Sequence, residues 1–142
     1  MLQPGEADDI VIAGMGAETI LEILDGAHWL RDPGYNLVLV PATKHSLLRQ
    51  GLARRGFALV DETLCSAAGR WYAVMNARYT GEKNEPDGTF CLCGKTAGQL
   101  GAADYLTQQC GKLKKYCRGL PPGPEADAVQ QLIQEWEEPL CR

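Results

Sequence analysis

Two strand-to-helix steps near the start of the chain constrain its fold more than any other feature of the sequence. The first is an apolar run at residues 9–14 that ends at a glycine and precedes a helical pattern at residues 18–27. The second is the run at residues 36–40, which stops at Pro41 and precedes an amphipathic pattern at residues 46–55. Continuous apolar runs of this length are typical of strands buried in a parallel sheet. Two such steps with short connections predict parallel strands joined by right-handed crossovers, and therefore an α/β fold.

The pattern changes after residue 56. Residues 57–65 and 70–79 both read as strands, with the clearest alternation in the second, and the short segment between them ends in Gly69. A connection of about four residues joins antiparallel strands. The sequence therefore predicts a hairpin after the two strand-to-helix steps.

The last third of the chain predicts a helical hairpin. Residues 80–88 are polar and mark a linker, and residues 119–124 contain three prolines. On either side of this break lie apolar stripes at helical spacing, which we interpret as mutual packing and not as a ligand site. The stripes are Leu106, Cys110, Leu113 and Cys117, then Val129, Leu132, Ile133 and Trp136. We expect an α/β domain at residues 1–80, and a linker with the helical hairpin at residues 81–142.

Charge and cysteine content limit the classes of protein. A net charge of -4 argues against a uniformly basic protein that coats nucleic acid, so any RNA contact must be local. No apolar run approaches the roughly 20 residues that cross a bilayer, and we expect no membrane association and a cytoplasmic location. Of the six cysteines only Cys91 and Cys93 are close, and His28 and His45 lie far upstream. This spacing favours reduced, mostly buried thiols over a metal site.

A glycine motif, Gly14-Met15-Gly16, lies at the first strand-to-helix turn. Glycines there let backbone amides approach a ligand. The motif is not a dinucleotide fingerprint, because Thr19 stands where the third glycine belongs and the next strand ends without an acidic residue.

The residues around this turn resemble the bacterial tRNA (adenine-N1)-methyltransferases, which modify an adenine in the D-arm. The resemblance runs from the first strand and its glycine turn through residues 37–41 to the strand at residues 69–75, and covers about residues 6–80 in register. The helical hairpin looks like that family's C-terminal coiled-coil extension. The resemblance implies the C-terminal half of a Rossmann-like class I methyltransferase sheet, in which two parallel βα units are closed by an antiparallel hairpin.

For the site, the resemblance implies S-adenosylmethionine as methyl donor, tRNA as partner and no metal. Gly14, Met15 and Gly16 would line the junction of donor and target base, with Ala17, Glu18 and Pro41 at the substrate-side rim. The family usually has glycine where Ala17 stands and glutamine where Val40 stands. No catalytic base is assigned: Asp8, Asp9, Glu18 and Asp25 flank the turn, but solvated surface charge is the more frequent role of such carboxylates.

A tRNA enzyme also requires a face that contacts phosphates, and ordinary solvated helix faces explain the same basic residues almost as well. Steep salt dependence of RNA binding would distinguish the two interpretations. The candidates are Lys44, Arg49, Arg54 and Arg55 in the α/β part, and Lys112, Lys114, Lys115 and Arg118 in the helical hairpin.

In the resembling family, the strands that hold most of the donor precede the glycine turn, whereas only residues 1–7 precede the first strand here. The resemblance therefore implies a truncated enzyme and leaves two functions open. The first is methyl transfer to N1 of a tRNA adenine, and the second is a non-catalytic α/β interaction or dimerisation module. Because residues 10–13 would form an exposed edge strand, we also expect self-association through that edge.

Overall fold

The computed structural model of the chain describes residues 3–140. Its helices and strands confirm both strand-to-helix steps, the hairpin and the two C-terminal helices, and add one short helix that the sequence did not predict. The strands are β1 (Asp9–Met15), β2 (Asn36–Pro41), β3 (Phe57–Ala67) and β4 (Arg70–Tyr79). The helices are α1 (Ala17–Gly26), α2 (His45–Arg54), the unpredicted α3 (Gly88–Cys93), α4 (Ala102–Gly119) and α5 (Pro124–Leu140), with a 3-10 turn at His28–Leu30.

The four strands form one sheet in the order β1-β2-β4-β3. Strand β1 pairs with β2 in parallel, whereas β4 pairs antiparallel with both β2 and β3. The last strand is thus inserted between β2 and β3. This is the half-sheet that the sequence predicted, and it brings the carboxyl ends of β1 and β2 and the amino end of β4 to one edge of the sheet.

One face of the sheet carries the main core. Ile10 and Ile12 of β1 pair in register with Leu37 and Leu39 of β2, so all four side chains lie on the same face. They pack with the buried side chains of α1 and α2, which include Ile20, Leu24, Leu48 and Leu52. The opposite face is more open: Val11, between the two isoleucines, is 65% exposed.

The connection between β3 and β4 is tighter than the sequence predicted. Ala67 pairs with Arg70, which leaves a loop of Ala68 and Gly69 alone. Both loop residues have positive φ, 52° and 77°. Positive φ at both central residues is the property of type I′ turns, whose twist matches that of paired strands.

A bulge in β3 decides which carboxylate faces the core. The pairing with β4 shifts between Leu59 and Asp61, at Val60. Before the bulge the buried residues are Phe57 and Leu59, and after it the buried residue is Glu62. An extra residue reverses the alternation of a strand. The bulge therefore turns Asp61 outward and places Glu62 inside.

Helices α3, α4 and α5 form a helical arm. Its own small core contains Leu92 and Cys110, packed with Leu106 and Leu113, so much of the predicted stripe on α4 is buried against α3. Ile133 of α5 is also buried. The side chains of Leu132 and Trp136 lie outside the described residues. The division of the chain at residue 80 stays a prediction.

The arm is joined closely to the sheet. Tyr105 of α4 has no exposed surface and belongs to the main core. Two glycines allow this approach, because a Cβ at Gly94 would overlap the Glu62 carboxylate and one at Gly101 would overlap the Trp71 ring. All buried residues of α4 lie in its first half. Among the described residues, no helix is long and apolar enough to cross a membrane.

Candidate functional site

The glycine turn lies at the carboxyl end of β1. The register between β1 and β2 shifts at Gly14, and Met15 then pairs with Pro41. Gly14 has a φ of 79°, which side-chain-bearing residues rarely adopt, and a Cβ there would meet no atom within 4 Å. Gly14 and Met15 are exposed. The turn thus presents open backbone at the edge where ligands bind to open α/β sheets.

The following connection, from β2 to α2, holds this turn in place. The Ala42 amide donates to the Met15 carbonyl at 2.9 Å, and the Ala17 amide donates to the Thr43 carbonyl at 3.3 Å. A Cβ at Gly16 would come within 2.9 Å of Thr43 Oγ1, so glycine permits the close approach of the two turns. Ala17 and Pro41 are buried beneath them.

One ion pair spans the rim of the site. Lys44 Nζ lies 2.7 Å from Glu18 Oε1, and both side chains are more than half exposed. Glu18 lies in the first turn of α1, where a negative charge is favoured by the helix dipole. Glu18 therefore lies at the rim of the glycine turn, whereas Ala17 and Pro41 are buried beneath it and do not form the exposed rim that the resemblance implied.

The other carboxylates considered for this site, Asp8, Asp9 and Asp25, do not flank the turn in space, which agrees with the favoured interpretation of them as surface charges. Asp8 and Asp9 lie at the amino end of β1, about 20 Å from the turn for a strand of this length. Asp9 accepts a hydrogen bond from Asn36 Nδ2 at 3.1 Å. Asp25 lies at the far end of α1, where hydrogen bonds from Arg55 lower its pKa. Strand direction and helix length, not sequence proximity, separate these groups from the turn.

The basic residues of α2 do not share one outer face, so the predicted outer position of Arg49 was wrong. Arg49 is fully buried and pairs with Glu62. Its charge is enclosed in the protein and is therefore not available to an RNA phosphate. Arg54 pairs with Glu85 at 2.6 Å, and Arg55 pairs with Asp25 at 2.7 Å. Lys112 and Lys115 lie on α4, beside Arg70.

A buried polar network centred on Arg49 connects the α/β unit to the helical arm. Arg49 donates to Glu62 Oε1 at 2.8 and 3.0 Å, and to the carbonyls of Cys91 and Leu92 in α3. Arg49 also donates to the Tyr105 hydroxyl at 2.7 Å. Glu62 Oε2 accepts from the Lys95 amide at 2.5 Å. Burial opposes the charge of Arg49, but Tyr105 and Glu62 outweigh it and raise the pKa of Arg49.

His45 completes this network at the start of α2. Its Nδ1 lies 2.8 Å from the Tyr105 hydroxyl. The hydroxyl accepts from Arg49, so its own proton is free to bond Nδ1. Burial, assisted by Arg49, lowers the pKa of His45 to about 4. His45 is thus neutral at physiological pH and packs as a structural group.

No local pattern in the sequence indicates this network. Arg49 follows Leu48 on a helix that reads as basic outside, and Glu62 is placed inward only by the bulge at Val60. Tyr105 lies outside the predicted stripe of α4. A long-range buried ion pair of this kind is set by tertiary packing, which local periodicity does not report.

Trp71 and two of the cysteines are part of the packed interior. Trp71 is partly buried against the core, and Tyr72 points to the other face. Cys91 and Cys110 are buried, as predicted, whereas Cys65 is exposed. Burial raises the pKa of Cys93 to about 11, which makes it a poor nucleophile. Within residues 3–140, no three histidine, cysteine or acidic side chains are grouped to hold a metal ion.

The glycine turn fits one wall of a nucleoside donor site. Gly14 leaves open space where any side chain would stand, and the Met15 side chain is 41% exposed beside it. Glu18 is the one carboxylate that the described chain places next to the turn, and it pairs with Lys44. Other groups must therefore hold the polar parts of such a donor.

Comparison with known proteins gives a consistent family. Residues 1–75 match the family described as methyltransferase domain. A Bacillus subtilis protein, tRNA (adenine(22)-N(1))-methyltransferase, is 31% identical over 100 residues, which is 70% of this chain and 40% of the relative. The chain therefore spans less than half the length of that relative.

Solved structures show the same fold. A Streptococcus pneumoniae tRNA (m1A22) methyltransferase, in complex with S-adenosyl-L-methionine, superposes with a TM-score of 0.73 at 21% identity, covering 98% of this chain and 63% of that one. The m1A22 tRNA methyltransferase of Bacillus subtilis gives a TM-score of 0.66 at 22% identity, covering 98% of this chain and 62% of that one. These matches confirm the Rossmann-like fold, while the family resemblance is confirmed by the methyltransferase domain match and the Bacillus subtilis relative.

Proposed function

The chain belongs to the methyltransferase domain family, and on this premise we propose that it is the substrate-side part of an S-adenosylmethionine-dependent enzyme that methylates N1 of a tRNA adenine. The observation that carries this proposal is the open glycine turn at the carboxyl ends of two parallel strands, held by hydrogen bonds to the next turn. The Bacillus subtilis relative and the donor complex of the Streptococcus pneumoniae protein support it.

In this proposal each residue of the turn has a separate task. Gly14 and Met15 line the donor, and Gly16 lets Thr43 approach and fix the turn. The exposed Glu18–Lys44 pair forms the rim on the side of the target base, and the buried Ala17 and Pro41 support the turn from beneath. The donor, when bound, supplies a methyl group attached to a sulfonium. The chain itself orients the base and keeps the turn rigid.

Titration calorimetry with S-adenosylmethionine on the 142-residue chain tests the proposal. Gly14→Ala should weaken binding, because it adds a side chain to the open wall and strains a backbone with φ of 79°. Gly5→Ala is a matched control, since Gly5 has a φ of 82° and equally open surroundings at the other end of β1. Equal loss in the two variants, or no donor binding by the wild type, would contradict the donor role of this turn.

The RNA contacts remain proposals. Lys44 and Arg54 are exposed, and their carboxylate partners are also exposed. Surface pairs of this kind contribute little to stability, so exchange of the carboxylate for a phosphate is easy. A tRNA substrate also implies a cytoplasmic place of action. If these residues bind phosphates, tRNA affinity should fall steeply with salt concentration.

One observation favours a second candidate, an interaction module without donor binding. Strand β1 is the edge of the described sheet, and its Val11 is 65% exposed. Exposed apolar edges pair with other chains. Donor binding without association supports the enzyme, and association without donor binding supports the module.

A further inference from the structure

A basic cleft lies between the β3–β4 turn and the helical arm. Its volume is about 310 Å³, and its lining residues are Gly69, Arg70, Gln108, Gly111, Lys112 and Lys115. Three of these six are cations and none is acidic. Cations gathered without a counter-charge repel one another, and a bound anion would relieve this repulsion. Such a lining therefore attracts an anion.

The cleft has a fixed frame. Gln108 Oε1 accepts from the Trp71 amide at 3.1 Å, and Gln108 Nε2 donates to the Gly69 carbonyl at 3.2 Å. Gln108 therefore ties α4 to the β3–β4 turn. Gly111, Lys112 and Lys115 follow on the same side of α4 at helical spacing, opposite Arg70. The cations are thus held on two elements that cannot separate freely.

The charges in the cleft are not neutralised by the protein. Among the described residues, neither Arg70, Lys112 nor Lys115 forms an ion pair with a carboxylate. Partial burial, followed by the charge of Arg70, lowers the pKa of Lys112. The two cations are therefore close enough to disfavour each other, which a bound anion would relieve.

Gly111 gives an independent indication that the cleft admits a ligand. It lies in the middle of α4, where glycine costs about 1 kcal/mol relative to alanine. Packing does not require it, because a Cβ at this position would meet no atom within 4 Å. The glycine instead keeps the floor of the cleft open, as glycines do where a ligand approaches backbone.

The cleft is near the glycine turn. Strand β4 begins at Arg70 and runs antiparallel to β2, so its amino end lies at the edge where β2 ends. Arg70 and Lys112 both lie close enough to His45, the first residue of α2, to lower its pKa. The cleft and the glycine turn therefore lie at the same edge of the sheet.

We propose that this cleft binds a phosphate of the RNA backbone and holds the substrate at a fixed distance from the glycine turn. The proposal rests on the proposed function, because it takes RNA as the substrate. Phosphate contacts of this kind set the register of a nucleic acid without reading its sequence. Arg70 is suited to grip two phosphate oxygens, with Lys112 and Lys115 as point charges.

The test is tRNA binding by the full chain, measured by fluorescence anisotropy over a range of salt concentrations. K112Q/K115Q should weaken binding about ten- to a hundredfold and reduce the salt slope by about 2, one for each cation removed. K83Q is the matched control, because Lys83 is an exposed lysine in the linker and outside the cleft. Gly111→Ala should also weaken binding while raising helix stability, which separates a filled cleft from a damaged fold.

Each outcome has a defined meaning. If the wild type binds tRNA and the cleft variants match K83Q, the cleft proposal is wrong while the proposed function stands. If the wild type does not bind tRNA at all, both are wrong. If inorganic phosphate protects the wild type against heat but not K112Q/K115Q, and tRNA binding is unchanged in that variant, the cleft takes small phosphate compounds and the RNA proposal is overturned.

Discussion

At the scale of single residues, the buried pair of Arg49 and Glu62 shows how one side chain can mislead a sequence-based interpretation. Arg49 occupies a helix with other basic residues, yet its side chain is fully enclosed. Each of its donors has an acceptor in the network. A buried charge is tolerated only with this degree of pairing.

We predict that Arg49→Met lowers the free energy of unfolding by about 3–5 kcal/mol, since it leaves Glu62 buried without its partner. Arg54→Met is the control, because Arg54 and Glu85 form an exposed pair and its loss should change stability little. Urea denaturation of both variants measures the difference. Similar stabilities for the two would show that the buried network contributes nothing particular.

His45 predicts a pH dependence of stability. Its pKa falls from 6.5 to about 4 on folding, so between these values the unfolded chain binds a proton that the folded chain does not. The contribution of neutral His45 to the free energy of unfolding is therefore fully present above pH 6.5. It is lost as the pH falls toward 4, by up to about 3 kcal/mol.

Urea denaturation between pH 7.5 and pH 4 checks this, with His45→Gln as the comparison. The variant should lose the slope in that window. The pKa values of Asp25 and Glu85 are lowered from 3.8 and 4.5 by Arg55 and Arg54, so these carboxylates add to the slope only at the acid end of the window, and that part should persist in His45→Gln. An unchanged slope in His45→Gln would assign the pH dependence to other groups.

At the scale of elements, periodicity and turn chemistry were sufficient for the strands and helices of the α/β unit. The apolar runs of β1 and β2 and the alternation of β4 needed no long-range information. The bulge at Val60 could not be foreseen, because residues 57–65 read as one regular strand and the shift arises from pairing with β4. Helix α3 was missed because it is six residues long and interrupts a polar segment.

The glycine turn was recognised because a strand, two glycines and a helix follow one another in sequence. The cleft on the helical arm was not, since Arg70 and Lys112 are far apart in the chain and meet only after the arm docks. Lys112 and Lys115 were predicted as phosphate contacts from the basic pattern of the helix, whereas no pattern indicated Arg70 or Gln108. Local motifs are thus predictable, whereas sites assembled between elements are not.

Docking of the helical arm gives a prediction for Gly101. Alanine at Gly101 would overlap the Trp71 ring and strain a backbone with φ of 87°. Gly98→Ala is the matched control, because Gly98 has a φ of 80° but open space for a Cβ. Both variants should lose about 1–2 kcal/mol from the strained backbone.

Only Gly101→Ala should also expose the segment between residues 80 and 101 to proteases and alter tryptophan fluorescence. Limited proteolysis with matched emission spectra measures this. Identical cleavage rates for the two variants would mean that contact with Trp71 does not hold the arm.

At the scale of the whole molecule, the sheet has one covered face and one open edge. Val11 of β1 is 65% exposed and Val60 of β3 is 50% exposed. Each of the two edge strands of the sheet therefore carries an exposed apolar side chain. We predict concentration-dependent association through β1.

Val11→Glu should shift the mass measured by light scattering toward the monomer, because it places a charge on the associating surface. Val60→Glu on the opposite edge is the control and should leave the mass unchanged. A monomer at all concentrations in the wild type would exclude this association.

The glycines that seat the arm on the sheet have one more consequence. Helix α4 has 18 residues and is about 27 Å long, and its buried residues all lie in its first half. The second half therefore extends away from the sheet in a fixed direction. The glycine turn and the helical arm are then two surfaces held at a fixed separation. If the substrate is the tRNA of the proposed function, this fixed separation would select it by the distance between the target base and a distant stretch of backbone, that is, by its folded shape.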